Sequence, residues 1–288
     1  IALEFFGTDI IQNIGVNKVF SASNVGDVGG AVIDISSKEL TDDSAFAVDL
    51  SAGINATAIK NDFLRQDGSN YLGFANTNRP SQNQHNFPNS LDPKKVSFPL
   101  NHGYAISGGK MFHVGKNNNP LSFFAVASHG TSFSYTKEIV RNTTSNGTIF
   151  QDQNGDKYSQ TTNQLVLANA NYEMNHRHNI NYNFMLIHVN DQYVGEYGGL
   201  QTEAFQSSPD LSGIIRRQQT NDNLLMVNQL VSDWKLSRIT RLSIGATYNR
   251  VKGLEPDRRE NYFTHVEGAR YNLTRSNRNK RFFSDLHN

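Results

Sequence analysis

The chain contains no cysteine among its 288 residues, which excludes disulfide frameworks and thiolate metal sites. It also lacks any run of 18 or more apolar residues, so the sequence predicts no membrane-spanning helix. Proline is scarce at seven residues, and a net charge of +1 gives no bulk positive charge for nucleic acid. What is present is a near-neutral chain with 37% hydrophobic residues, a composition that does not indicate disorder.

Alternation of apolar and polar residues is the main signal that is present. It starts near residue 43, and its apolar positions are Phe46, Val48, Leu50, Ala52 and Ile54. The intervening positions are Ala47, Asp49, Ser51, Gly53 and Asn55. Such alternation predicts a strand with one apolar and one polar side. The pattern recurs at 179–186 and 241–249, less cleanly at about 101–113, 119–132, 162–174 and 222–235, and a last strand starts near 281.

The connections between these strands alternate in length. Segments 114–120, 175–179 and 236–239 are short and polar, as in hairpin turns, whereas about 58–100, 133–161, 191–221 and 252–280 are long. Long loops are uncommon in compact soluble domains but typical of outer-membrane barrels, which have short periplasmic turns and long extracellular loops. Strands of about 11–14 residues also suit a tilted crossing of ~25 Å of hydrocarbon. The sequence therefore predicts an all-β fold, an antiparallel transmembrane β-barrel.

The strand count predicts that this barrel is incomplete. An unpaired backbone group in lipid costs several kcal/mol, so a spanning sheet cannot keep open edges. An eight-stranded barrel has an interior just wide enough for side chains. The polar faces here are small and amide-rich and favour a wet lumen: Gly53, Asn55, Asn179, Asn181 and Asn183. We therefore expect the seven or eight strands to be part of a larger barrel.

The stretch before the first long strand carries a family resemblance. Residues 9–40 read DIIQNIGVNKVFSASNVGDVGGAVIDISSKEL, and they resemble the end of the plug domain of TonB-dependent outer-membrane receptors. The matching features are a V-N-K segment, a link of small residues, a Gly-Gly pair, an apolar strand and a Ser and a Lys at the end of that strand. They fall on Val16, Asn17, Lys18, Gly29, Gly30, 32–35, Ser37 and Lys38. The segments EPDRRENYF and NRNKRFFSDL look like loop and strand starts of Bacteroidota-type receptors.

The resemblance implies a domain organisation and a function. Residues 1–40 would be the C-terminal part of a plug, and 41–288 the N-terminal part of a 22-stranded barrel with long extracellular loops. The chain starts at Ile1 and is expected to be a piece of a longer receptor. Such receptors sit in the outer membrane of Gram-negative bacteria and import a scarce nutrient, driven by TonB, ExbB and ExbD. Outer-membrane lipid and lipopolysaccharide are further implied partners, and a surface lipoprotein is a candidate partner.

A glycine-bearing segment, YVGEYGGLQ at 193–201, supplies candidate ligand-binding residues. In an extracellular loop, Tyr193 and Tyr197 would stack on a ligand, while Glu196, Arg216 and Arg217 would bind its polar groups. The alternative is that the tyrosines belong to the aromatic girdle of a barrel.

No metal, cofactor or enzyme activity is predicted. His176 and His178 share one face of a strand, but no third ligand is close in sequence, and surface histidines of a turn are the alternative. Segment 152–156 (DQNGD) has calcium-loop spacing but lacks the required glycine and final glutamate. Asn154-Gly155 instead predicts a hairpin tip within a loop. No nucleophile, base and orienting residue can be assembled.

Two other functions stay open. A passive porin or assembly barrel would have residues 9–38 extend the wall, and a surface β-sandwich, such as an adhesin or lectin, would pack its apolar faces together. A basic run predicts a solvated loop or a contact with lipopolysaccharide rather than a nucleic-acid site. Its members are Arg270, Arg275, Arg278, Lys280 and Arg281.

Overall fold

A computed structural model of the chain describes residues 11–18, 32–40, 42–76, 80–81, 87–266, 270–274 and 278–287. Strands dominate this part of the chain. They are β1 (Ile11–Asn17), β2 (Val32–Ser37), β3 (Ser44–Ile54), β4 (Leu64–Arg65), β5 (Lys94–Lys95), β6 (Leu100–Val114), β7 (Asn119–Thr143), β8 (Ile149–Asn175), β9 (His178–Gln201), β10 (Ser212–Lys235), β11 (Arg241–Val266), β12 (Arg270–Leu273) and β13 (Lys280–His287). A five-residue helix, α1 (Ala56–Lys60), follows β3. No helix in the described ranges is long and apolar enough to cross a membrane.

Nine strands form one antiparallel meander sheet. Its order is β12-β11-β10-β9-β8-β7-β6-β3, and β13 pairs with β11 beside β12. The all-β prediction is confirmed, as is the antiparallel pairing of successive strands. Within the described residues, the edge strands β3 and β12 do not pair with each other, so this sheet is open. The hairpin of β1 and β2 is a separate two-stranded sheet.

The strands are longer than the sequence predicted. Strands β7 to β11 have 24 to 27 residues each, so most of 133–161, 191–221 and 252–280 lies in paired strands rather than in long loops. The loop boundaries predicted for these three segments are therefore wrong. Threonine and tyrosine favour strands there, but polar residues occupy both faces, so no period of two marks the extension. The long connection between β3 and β6 was predicted correctly.

The hairpin tip predicted at Asn154-Gly155 is also wrong. Both residues lie inside β8, and Gly155 is paired with Glu138 of β7. The turn lies at 144–148, where Gly147 has φ +86° and its N–H donates to the Thr144 carbonyl at 3.0 Å. Gly147 therefore supplies the left-handed backbone that the tight turn requires.

The sheet has two unlike faces. Residues paired across an antiparallel ladder share a face, so Val48 lies beside Ile106, and Asp49 lies beside Ala105 on the other side. We call the side of Phe46, Val48 and Leu50 the band face, and the opposite side, with Asp49, the cavity face. The pairing continues these two faces from β3 to β11.

A hydrophobic cluster lies on the cavity face. Its buried members are Phe124, Val126, Leu165, Leu167, Ile187 and Val189. Leu40 packs against this cluster, and Glu39 accepts a hydrogen bond from Asn181 Nδ2 at 3.4 Å. The chain that leaves the β1–β2 hairpin therefore runs against the cavity face before it enters β3.

Candidate functional site

Large apolar side chains are exposed across the band face of seven neighbouring strands. They are Phe46, Val48, Leu50, Ile54, Tyr104, Ile106, Phe112, Phe123, Val166, Tyr182, Leu230, Leu242, Ile244 and Tyr248. The exposed fraction reaches 75% for Phe46 and 81% for Leu50. Soluble monomers rarely expose contiguous apolar patches larger than a few hundred Å². An exposed apolar band on seven strands favours an apolar environment outside the sheet.

The band runs diagonally across the strands. On β3 it extends from Phe46 to Ile54, and on β11 from Leu242 to Tyr248. Phe46 is at the N-terminal end of the band on β3, and Tyr248 is at the C-terminal end of the band on β11. Successive cross-strand pairs join these two residues. Over six strand-to-strand steps the band edges shift by six to eight residues, which corresponds to a strand tilt of about 35–43° relative to the band.

Beyond the band, the same face becomes polar and is covered by chain. We call the described part of residues 55–99 the cover segment. It starts with α1, whose N-cap Asn55 accepts hydrogen bonds from the backbone of Thr57 and Ala58. Further along, Gly73 (φ +82°) lies over β8, where an added Cβ would come within 3.0 Å of Thr162 Cβ. The cover segment thus separates this polar end of the sheet from solvent.

A row of polar side chains lies under the cover segment. Gln164 contacts Nδ1 of His129 and Nδ1 of His188, each at 3.1 Å, and His188 Nε2 lies 2.6 Å from Asp222 Oδ1. The backbone N–H of Ala75 donates to Asp222 Oδ2 at 2.7 Å. The row therefore fastens the cover segment to the centre of the sheet.

A buried charge cluster holds the other part of the cover segment. Arg259 and Asp257 are almost fully buried, and Arg259 Nε donates to Asp257 Oδ2 at 2.9 Å. Arg281 Nε donates to Asp257 Oδ1 at 3.0 Å. Arg259 Nη2 also donates to the Asp67 carbonyl at 2.6 Å, and Arg281 Nη2 to the Asn89 carbonyl at 3.1 Å. The two arginines thus bind cover-segment carbonyls directly.

The charge state of this cluster follows from its contacts. Burial acts to raise the pKa of Asp257, but hydrogen bonds from Arg281 and Arg259 outweigh it, so the pKa is lowered. The prediction that Arg281 belongs to a solvated basic run is wrong, because its guanidinium is bound to Asp257. Sequence reasoning missed the cluster; its only local trace is the two-residue spacing of Asp257 and Arg259.

The predicted ligand-binding residues lie on strands rather than in a loop, and on both faces. Tyr193, Tyr197 and Arg217 are on the cavity face of β9 and β10. Glu196 and Arg216 are paired on the opposite face, where Arg216 Nε donates to Glu196 Oε1 at 2.6 Å. These five residues therefore do not form one site.

On the cavity face, Tyr193 and Arg217 differ from Tyr197. The Tyr197 ring is buried, and its hydroxyl donates to Glu138 Oε2 at 2.7 Å. Burial and this hydrogen bond raise the pKa of Tyr197, so it stays protonated and packs as a structural residue. Tyr193 and Arg217 instead border a cavity. Of the five predicted residues, Tyr193 and Arg217 are therefore the two that line this cavity.

The predicted plug motif is partly described. Asn17 ends β1 and is paired with Val32 of β2, and Lys18 follows directly. Lys38 is exposed after β2. Gly29 and Gly30 lie outside the described residues. The apolar strand predicted at 32–35 is thus present within β2, which pairs with β1 in a hairpin.

The remaining candidates are separate from one another. His176 lies in the turn between β8 and β9, and the His178 ring centroid is 4.2 Å from that of Trp234. No group of three or more metal-binding side chains occurs in the ranges that the structure covers. Of the basic run, Lys280 is exposed at the start of β13, and Arg275 lies outside the described residues.

A cavity of about 780 Å³ opens on the cavity face between β3 and β9. Small and polar residues contribute much of its lining, among them Asp49, Ser51, Gly53, Asn101, Thr161 and Asn163. Such a lining suits water or a polar solute. The small and amide-rich side described from the sequence is therefore the side on which this cavity opens.

Comparison with protein-family models, with curated proteins and with solved structures finds no match for the chain. The function is therefore argued from the geometry of the two faces.

Proposed function

We propose that the chain forms part of the wall of an outer-membrane β-barrel, with the band face toward lipid. The observation that carries this proposal is the diagonal apolar band. Its slope of about 35–43° agrees with the strand tilt of about 35–45° in transmembrane barrels. From Phe46 to Ile54 the band follows the strand for about 27 Å, or about 20 Å along the membrane normal at such a tilt. The apolar belt of such barrels is about 25 Å tall.

Within this class, the hairpin before β3 favours a plug-gated receptor over a porin. A porin would have residues 9–38 extend the wall, but β1 and β2 pair with each other, separately from the nine-stranded sheet. Glu39 and Leu40 contact the cavity face, opposite the band, where a plug would lie. The proposed function is therefore active uptake of a scarce nutrient across a Gram-negative outer membrane, energised by TonB with ExbB and ExbD.

The surface β-sandwich has less support. It requires protein to cover the apolar band, and Phe46, Leu50 and Ile244 stay more than half exposed. Cell fractionation separates these functions: the proposal expects the chain in the outer membrane, extracted only by detergent. A monodisperse protein that needs no detergent contradicts it.

The position of the plug is tested by cross-linking. Because the chain has no cysteine, Glu39→Cys can be combined with Asn181→Cys on the cavity face or with Tyr182→Cys on the band face. A short bismaleimide is expected to join the 39–181 pair and not the 39–182 control. Equal yields for both pairs contradict a plug on the cavity side. Nutrient accumulation that persists without TonB contradicts the energised mechanism.

A further inference from the structure

A second cavity, of about 470 Å³, opens between β10, β11 and β13. Five cationic residues line it: Arg217, Arg258, Arg259, Lys280 and Arg281. The guanidinium groups of Arg259 and Arg281 are bound to Asp257, which leaves Arg217, Arg258 and Lys280 for a ligand. Tyr193 and Phe282 supply aromatic surface. Its volume lies within the roughly 300–1,000 Å³ typical of small-ligand sites. It is separate from the larger cavity between β3 and β9.

The cations lie nearer the opening than the carboxylates. The Arg217 and Arg258 side chains are 52% and 47% exposed, whereas Glu260 and Glu255 beside them are 18% and 15% exposed. Lys280 is exposed and has no ion-pair partner among the described residues, although it is paired across the ladder with Glu260. A ligand entering this cavity therefore meets positive charge first.

Neighbouring contacts hold the two arginines in place. The Arg258 guanidinium lies 4.5 Å from the centroid of the Phe282 ring, and its Nε is 3.5 Å from Glu255 Oε1. Arg217 Nε donates to Glu260 Oε1 at 2.8 Å. Fixing these long side chains before a ligand arrives reduces the entropy lost on binding.

We propose that this cavity binds a small organic anion that carries at least two negatively charged groups. Arg217 and Lys280 are on strands two steps apart, about 10 Å at the usual strand spacing. An anion with two charged groups can contact both cations at once, one group against each, through charge-assisted hydrogen bonds. Tyr193 and Phe282 contact its less polar part. This inference goes beyond membrane insertion and does not depend on it.

Calorimetric titration of the purified full chain tests the inference. Citrate and pyrophosphate serve as probes for carboxylates and phosphates, and glucose as an uncharged control. Saturable binding of either anion is expected, weaker at high salt, with no binding of glucose. The better-bound anion identifies the charged group. Lys280→Met and Arg258→Met are each expected to weaken binding at least tenfold.

Two further variants make the result decisive. Arg241→Met removes an exposed arginine from the opposite end of β11 and is expected to leave affinity unchanged. Lys280→Arg keeps the charge and is expected to bind within about threefold of the unmodified chain, which separates loss of charge from loss of fold. The inference is overturned by absence of saturable anion binding, by unchanged affinity in both methionine variants at the cavity, or by equal weakening in Arg241→Met.

Discussion

Phe46 and Tyr248 lie in one row of cross-strand pairs, although six strand-to-strand steps separate them. Phe46 is the N-terminal end of the apolar band on β3, and Tyr248 is the C-terminal end of the band on β11. The band therefore crosses the strands obliquely. A flat lipid layer around tilted strands would impose this pattern, because the apolar belt follows the membrane rather than the hydrogen-bond rows.

Adjacent residues on β3 are predicted to face different media. With cysteine absent from the chain, a fluorophore can be attached to Leu50→Cys on the band face or to Ser51→Cys on the cavity face, both exposed positions. In membranes, nitroxide-labelled lipid is expected to quench the label at position 50, and aqueous iodide the label at position 51. Equal quenching of both labels by iodide contradicts a lipid-facing band.

Arg259→Met is predicted to destabilise the protein by about 3–5 kcal/mol, because it leaves a buried carboxylate without one of its partners. The variant also loses the hydrogen bond to the Asp67 carbonyl, so the cover segment should become sensitive to protease. Denaturant unfolding and limited proteolysis measure the two effects. Arg258→Met is the matched control, since Arg258 is half exposed and expected to change stability far less. Equal stability losses in the two variants contradict the role of the buried cluster.

Stability should depend on Asp257 at acid pH. Its pKa is lowered in the folded state, so its contribution is complete above the unfolded value of about 3.9 and is lost as the pH falls through the lower folded value. The free energy of unfolding is therefore expected to fall more steeply below about pH 4 in the unmodified chain than in Asp257→Asn. Parallel pH profiles for the two proteins contradict this assignment.

The sequence predicted those parts of the fold in which one face is apolar. Alternation at 46–54 and 242–248 located the strands and the band face, because apolar and polar residues occupy alternate positions there. Where both faces are polar, as at 156–161, the contrast disappears and the strand was assigned to a loop. The buried charge cluster could not be predicted from the sequence, because Arg259 and Asp67 are 192 residues apart and only the folded sheet brings them into contact.

Tyr197 explains why glycine stands at position 155. A Cβ added at Gly155 would lie 2.3 Å from Tyr197 Cδ1, and one at Gly195 would lie 2.7 Å from Cε2 of the same ring. Gly155→Ala is therefore predicted to destabilise the protein by about 1–3 kcal/mol through overpacking. Gly130→Ala is the control, because its nearest atom would be 3.8 Å away.

A second substitution identifies the cause of that loss. In a background of Tyr197→Ala, the ring is absent, so Gly155→Ala should cost little additional stability. Denaturant unfolding of the single and double variants gives the coupling free energy between the two positions. Additive losses would show that the tyrosine ring does not fix the choice of glycine. In that case the glycine is set by the strand backbone itself.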